Sequence, residues 1–156
     1  MKYPILAFAT MTLALLSDAP LAAETGAAPQ AEAAPAKLDP KSPEGRAVQR
    51  WQYLIEAKAD KAYEFMSPGA RSAKPKAVWT KEMSERPVRW TKVQFRDKAC
   101  DSEEACEIRL ELMYTAPLQG APGGMVSSPG FLTEHWIRVK KQWYFVPDDY
   151  VAGGLR

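Results

Sequence analysis

Three observations predict an α+β domain in this 156-residue chain. Apolar residues recur at helical spacing from Val48 to Met83, an alternation of period two takes over after Pro87, and no helical stretch returns after it. Helices followed by strands bury their apolar faces most simply as an antiparallel sheet of about four strands, with the N-terminal helices packed on one face. The length supports one hydrophobic core, and 46% hydrophobic with 26% charged residues is ordinary for a globular protein.

The chain opens on what reads as a secretory signal peptide at residues 1–23. Lys2 precedes a charge-free apolar run, Pro4 to Leu16, and small residues reach Ala23 before Glu24. The run is shorter than the roughly 20 residues that span a bilayer, so the mature form is expected to carry no transmembrane segment. Residues 24–41 are almost all Ala, Pro, Gly and small polar groups, a composition that cannot offset the entropy of ordering. This stretch reads as a disordered linker, residues 42–150 as the folded domain, and residues 151–156 as a flexible tail.

Within the domain, Ser42-Pro43-Glu44 carries a cap, a first-turn proline and an acid at the positive end of the dipole, and so opens a helix bearing Val48, Trp51, Leu54 and Ile55. Asp60 reads as the cap of a short second helix through Ala62, Phe65 and Met66, stopped by Ser67-Pro68-Gly69. A third helix fits Pro75 to Glu85, with Val78, Trp79 and Met83 on its apolar side. Val88, Trp90, Val93 and Phe95 read as a strand irregular near Thr91, and Cys106 to Tyr114 as a half-buried strand. Ala116 to Gly130, rich in Gly and Pro, reads as a long loop. Phe131 to Lys140 alternates, which puts His135, Ile137 and Val139 on one side and Glu134, Trp136 and Arg138 on the other. Gln142 to Val146 closes the sheet after a tight turn at Lys140-Lys141.

Composition removes several functional classes. A net charge of +2 offers no field for polyanions, and no basic face carries interleaved exposed aromatics, so nucleic acid is not an expected partner. One His and two Cys exclude zinc fingers and multi-histidine metal centres, so no metal is expected. There is no phosphate loop, no G-x-S-x-G elbow and no H-E-x-x-H, and no cofactor is expected. Cys100 and Cys106 have five residues between them, a spacing that a hairpin can bridge, and export favours oxidation. Two free thiols are the alternative; a redox pair would more typically be C-x-x-C at a helix start. His135 has the side chain suited to a general base near neutrality, or it is a hydrogen-bonded core residue. Glu64, Glu107, Glu111 and Glu134 read as solvent-facing, so none is an evident acidic partner for it.

Three stretches together resemble the NTF2-like (cystatin-like) superfamily, in particular small exported bacterial members. They are Arg50-Trp51-Gln52-Tyr53-Leu54-Ile55 followed by Lys61 to Gly69, then Cys100 and Cys106 flanking an acidic turn, then Glu134-x-Trp136-Ile137-Arg138 with Gln142-Trp143-Tyr144. Lys140-Lys141 stands where an Asp-Gly-like turn is usual, and the 116–130 stretch is longer than usual. The resemblance implies a curved sheet wrapped around helices as a cone, enclosing a cavity. It places Tyr63, Trp79, Tyr114 and His135 as candidate pocket residues, although Tyr63, Trp79 and Tyr114 are also explained by core packing. Members include enzymes such as isomerases and dehydratases as well as modules without catalysis, and fold does not choose between them. The expectation is an exported module, periplasmic or secreted, that is not an enzyme and binds an apolar small molecule or an envelope protein. The alternative is a small isomerase- or dehydratase-type cavity enzyme with His135 as base. A structural accessory docking through the outer sheet face is a third reading.

Overall fold

The computed structural model describes residues 37–148. The signal-peptide and tail expectations, and the linker up to residue 36, lie outside them. Helices precede strands, as the change of period predicts, but there are four helices rather than the three expected, and the second stops at Tyr63, short of Phe65 and Met66: α1 (Pro43–Ile55), α2 (Ala59–Tyr63), α3 (Pro68–Ala73), α4 (Lys76–Ser84), β1 (Arg89–Ser102), β2 (Ala105–Pro117), β3 (Met125–Val139) and β4 (Gln142–Val146).

Local chemistry sets the helix starts. Gly45 donates its backbone N–H to the Ser42 hydroxyl at 3.1 Å, satisfying one orphan donor of the first turn of α1. Gly45 is also required sterically, because a Cβ there would collide with the Asp39 carbonyl. Ser67-Pro68-Gly69 does more than stop a helix. The Ser67 hydroxyl accepts from the Ala70 amide at 3.3 Å and opens α3, the same Ser-Pro device that opens α1. Asp60 is not the cap of α2: it lies in the first turn behind Lys58, where an acid still favours the dipole.

The sheet is antiparallel with order β1-β2-β3-β4, so every connection is a hairpin. The register slips between Trp90 and Lys92, at the predicted irregularity. Cys100 faces Cys106 across the β1–β2 ladder, and the two form a disulfide. Lys140 and Lys141 have φ of 50° and 67°, both left-handed, the shape of a primed two-residue turn without its usual glycine. The expected loop 116–130 is largely strand instead. β2 and β3 stay paired out to Pro117 and Met125, leaving a tip at residues 118–124 that holds a 3₁₀ turn, Pro122–Gly124. Pro129 is tolerated because β4 pairs only with His135–Val139, so among the described residues this half of β3 has one strand neighbour.

Buried side chains from the four helices and from β2, β3 and β4 form one core that includes Trp51, Met66, Trp79, Ile108, Leu110, Trp136 and Trp143. Residues 65–67 also join β4 through their backbone. Phe145 donates to the Phe65 carbonyl at 2.7 Å, and Ser67 donates to the Phe145 carbonyl at 2.8 Å.

The disulfide closes a small loop, so breaking it releases little chain entropy. Replacing both Cys100 and Cys106 by Ser is expected to lower stability by about 2 kcal/mol in urea unfolding, with native far-UV circular dichroism retained.

Candidate functional site

The alternation along β3 is real, but its faces are the reverse of the reading made from sequence. Leu132, Glu134 and Trp136 stand opposite Leu110, Ile108 and Cys106, the buried side of β2. His135 therefore lies on the other face. It is 35% exposed, with Nδ1 3.5 Å from Glu107 Oε1. The correction is largest at Glu134, expected in solvent and in fact 2% exposed.

Three donors converge on that carboxylate. Arg50 Nη1 donates to Oε1 at 2.6 Å, Trp51 Nε1 donates to the same oxygen at 2.7 Å, and Trp136 Nε1 donates to Oε2 at 3.0 Å. Arg50 and Trp51 are neighbours on α1, whereas Glu134 and Trp136 lie two apart on one face of β3. The Arg50 guanidinium also lies over the Phe145 ring, 3.9 Å from its centroid, and its Nε is buried without a hydrogen-bond partner. Burial raises the Glu134 carboxyl above its ordinary value, opposed by the Arg50 charge and then by the two indole donors. Burial lowers Arg50, opposed by Glu134 and reinforced by Arg86.

Above this cluster is a cavity of about 320 Å³. Its walls include the apolar side chains of Trp51, Leu54, Trp79, Met83, Trp90 and Phe145. Lys74, Glu82, Arg86 and Asp148 add charge, and Lys74 pairs with Glu82 at 2.8 Å. The size suits a small molecule, and the lining offers it aromatic contact on some walls and charged groups on others.

Of the four residues expected to line a pocket, Trp79 reaches this cavity. Tyr63 is buried beside Trp79, and its hydroxyl donates to the Lys74 carbonyl at 2.7 Å, with the Arg71 carbonyl 3.1 Å away, tying the α3–α4 connection together. Tyr114 is half-buried opposite Trp90, near Gly130. His135 faces away, on the side of a second, polar recess of about 260 Å³ lined by Asp97, Glu107, Arg109 and Thr133. Among the described residues, no group of three or more His, Cys, Asp or Glu could hold a metal ion. Nor is any described helix long and apolar enough to cross a membrane.

No protein-family model and no curated protein matches the chain. Among solved structures it is similar to a SEC-C motif containing protein from Rhodopseudomonas palustris, with 14% identity and a TM-score of 0.51 over 70% of this chain and 79% of that one. A Campylobacter jejuni protein assigned as an NTF2-like transpeptidase aligns with 10% identity and a TM-score of 0.49, over 68% of this chain and 98% of that one. The first likeness is one of fold alone.

A buried ion pair is most costly when it is half removed. Glu134→Gln is expected to lower stability by about 3–5 kcal/mol, because it strands the Arg50 charge. Arg50→Met combined with Glu134→Leu is expected to cost clearly less than the two single changes added together, a coupling read from a urea double-mutant cycle. His135→Ala on the opposite face is expected to stay within about 0.5 kcal/mol.

Proposed function

We propose that this chain is an exported NTF2-like domain acting as a binding module, with a small apolar molecule held in the cavity above Glu134. The observation that carries the reading is an aromatic-walled cavity of about 320 Å³ whose buried acid is already met by three donors. A carboxylate engaged in this way holds the walls in place and has little freedom to shuttle a proton. The element order, helices before an antiparallel four-stranded sheet, supports the NTF2-like reading, and the disulfide supports an oxidising compartment outside the cytoplasm. A cavity enzyme is the second reading, and one observation favours it: the buried Glu134 carboxyl lines the cavity, and burial raises it above its ordinary value. In that reading Glu134 takes the role expected of His135, whose side chain faces away from the cavity.

The neutral dye N-phenyl-1-naphthylamine tests the module. It is expected to bind saturably at one site and to quench the fluorescence of the cavity tryptophans Trp51, Trp79 and Trp90. Met83→Trp, which fills the cavity from α4, is expected to weaken that binding tenfold or more while thermal unfolding stays cooperative. No saturable binding, or binding indifferent to Met83→Trp, would remove the reading.

Export has its own check. The secreted form is expected to begin near Glu24, and intact-mass measurement on protein from the exporting cell would reveal retention of residues 1–23.

A further inference from the structure

Two guanidinium groups line the cavity from different parts of the chain, Arg50 on α1 and Arg86 just beyond α4. They are close enough for the charge of Arg86 to act on Arg50. Like charges facing one recess repel each other. Glu134 relieves this from one side only. It engages Nη1 of Arg50, while Nε of the same group, in a residue 5% exposed, has no partner. A buried donor left unsatisfied carries a desolvation penalty, so Glu134 does not saturate the Arg50 guanidinium, which lines the cavity. Arg86 is exposed, and no acid among the described residues pairs with it. The other cation of the lining, Lys74, has Glu82 as its partner.

The remaining wall restricts what such an acceptor can be attached to. Trp51 and Trp90 meet edge to face with ring centroids 5.1 Å apart, and Phe145 lies beneath Arg50. Aromatic surfaces of this kind favour a flat apolar body in offset or edge contact. Asp148 lines the same cavity, so a second negative charge on a ligand would meet repulsion.

We infer that the ligand is a flat organic acid with one negative charge, its carboxylate held between Arg50 and Arg86 and its apolar body against the tryptophans. The inference rests on the binding-module reading and names the ligand class for that site. The planar guanidinium fork matches a carboxylate in geometry as well as charge, and a carboxylate can accept from both groups at once.

Isothermal titration with 2-naphthoate, 2-naphthamide and 2-naphthyl phosphate tests it, with N-phenyl-1-naphthylamine as the neutral reference. The carboxylate is expected to bind at least tenfold tighter than the amide and tighter than the phosphate. Arg86→Gln changes an exposed side chain that the fold does not use, with circular dichroism as the check. It is expected to bring the carboxylate-to-amide ratio below threefold, by weakening the carboxylate far more than the amide. An amide that binds as well as the carboxylate, or a ratio unmoved by Arg86→Gln, would overturn the inference. A phosphate that binds tighter would overturn the single-charge assignment. Binding of the neutral dye with none of the three naphthyl compounds would sink the acid class and leave the module standing. Failure of all four would remove both.

Discussion

A carboxylate withdrawn from water must be met by donors, and here the donors arrive from two elements more than eighty residues apart. Glu134 is bonded by Arg50 and Trp51 of α1, at sequence separations of 84 and 83, and by Trp136 on its own strand. Because Arg50 and Trp51 are consecutive, α1 cannot turn or slide by one residue without losing both bonds together. That fixed position carries other contacts with it. Arg46 reaches the Trp143 carbonyl at 2.7 Å, Trp51 meets Trp90, and Glu44 pairs with Lys98 of β1 at 3.0 Å. An apolar substitute at Glu134 could fill the volume, but it would specify no single angle for the helix. Buried polar groups serve this registering role in some other folds.

The same node explains why a cavity persists in so aromatic a core. The indoles of Trp51 and Trp136 are held by their N–H groups, and the Arg50 guanidinium is held against Phe145. Side chains pinned by directional bonds cannot collapse into adjacent space as aliphatic ones do. The cavity wall is therefore a consequence of hydrogen-bond geometry as much as of side-chain size.

Much of the architecture was legible locally. The Ser-Pro signature announced α1, the period change after Pro87 announced the sheet, and the Cys100–Cys106 spacing announced the closed hairpin. The candidate site was not legible, for a specific reason. Arg138 and Lys140 share the parity of Glu134 and Trp136, so simple polarity placed that side in solvent. What reversed the faces was a partner on α1, and alternation within one strand carries no information about such a partner. Arg50-Trp51 and Glu134-x-Trp136 were both visible as motifs, yet that they meet is a tertiary fact. The stretch 116–130 shows the converse error. Its glycines and prolines are genuine local breakers, but pairing along β2 outweighs them as far as Met125.

The short graft of residues 65–67 onto β4 has a consequence for how copies of this chain treat one another. β4 has only five residues, and a bare edge of that kind is a template on which another molecule can lay its own backbone. Here the exchange between Phe65, Ser67 and Phe145 already uses the N–H and C=O of Phe145, the fourth of the five residues of β4. On β3, where β4 stops short, Pro129 lacks the amide that a regular ladder would need. Both features make strand-to-strand aggregation harder to start, which suits a small protein whose sheet is built only of hairpins.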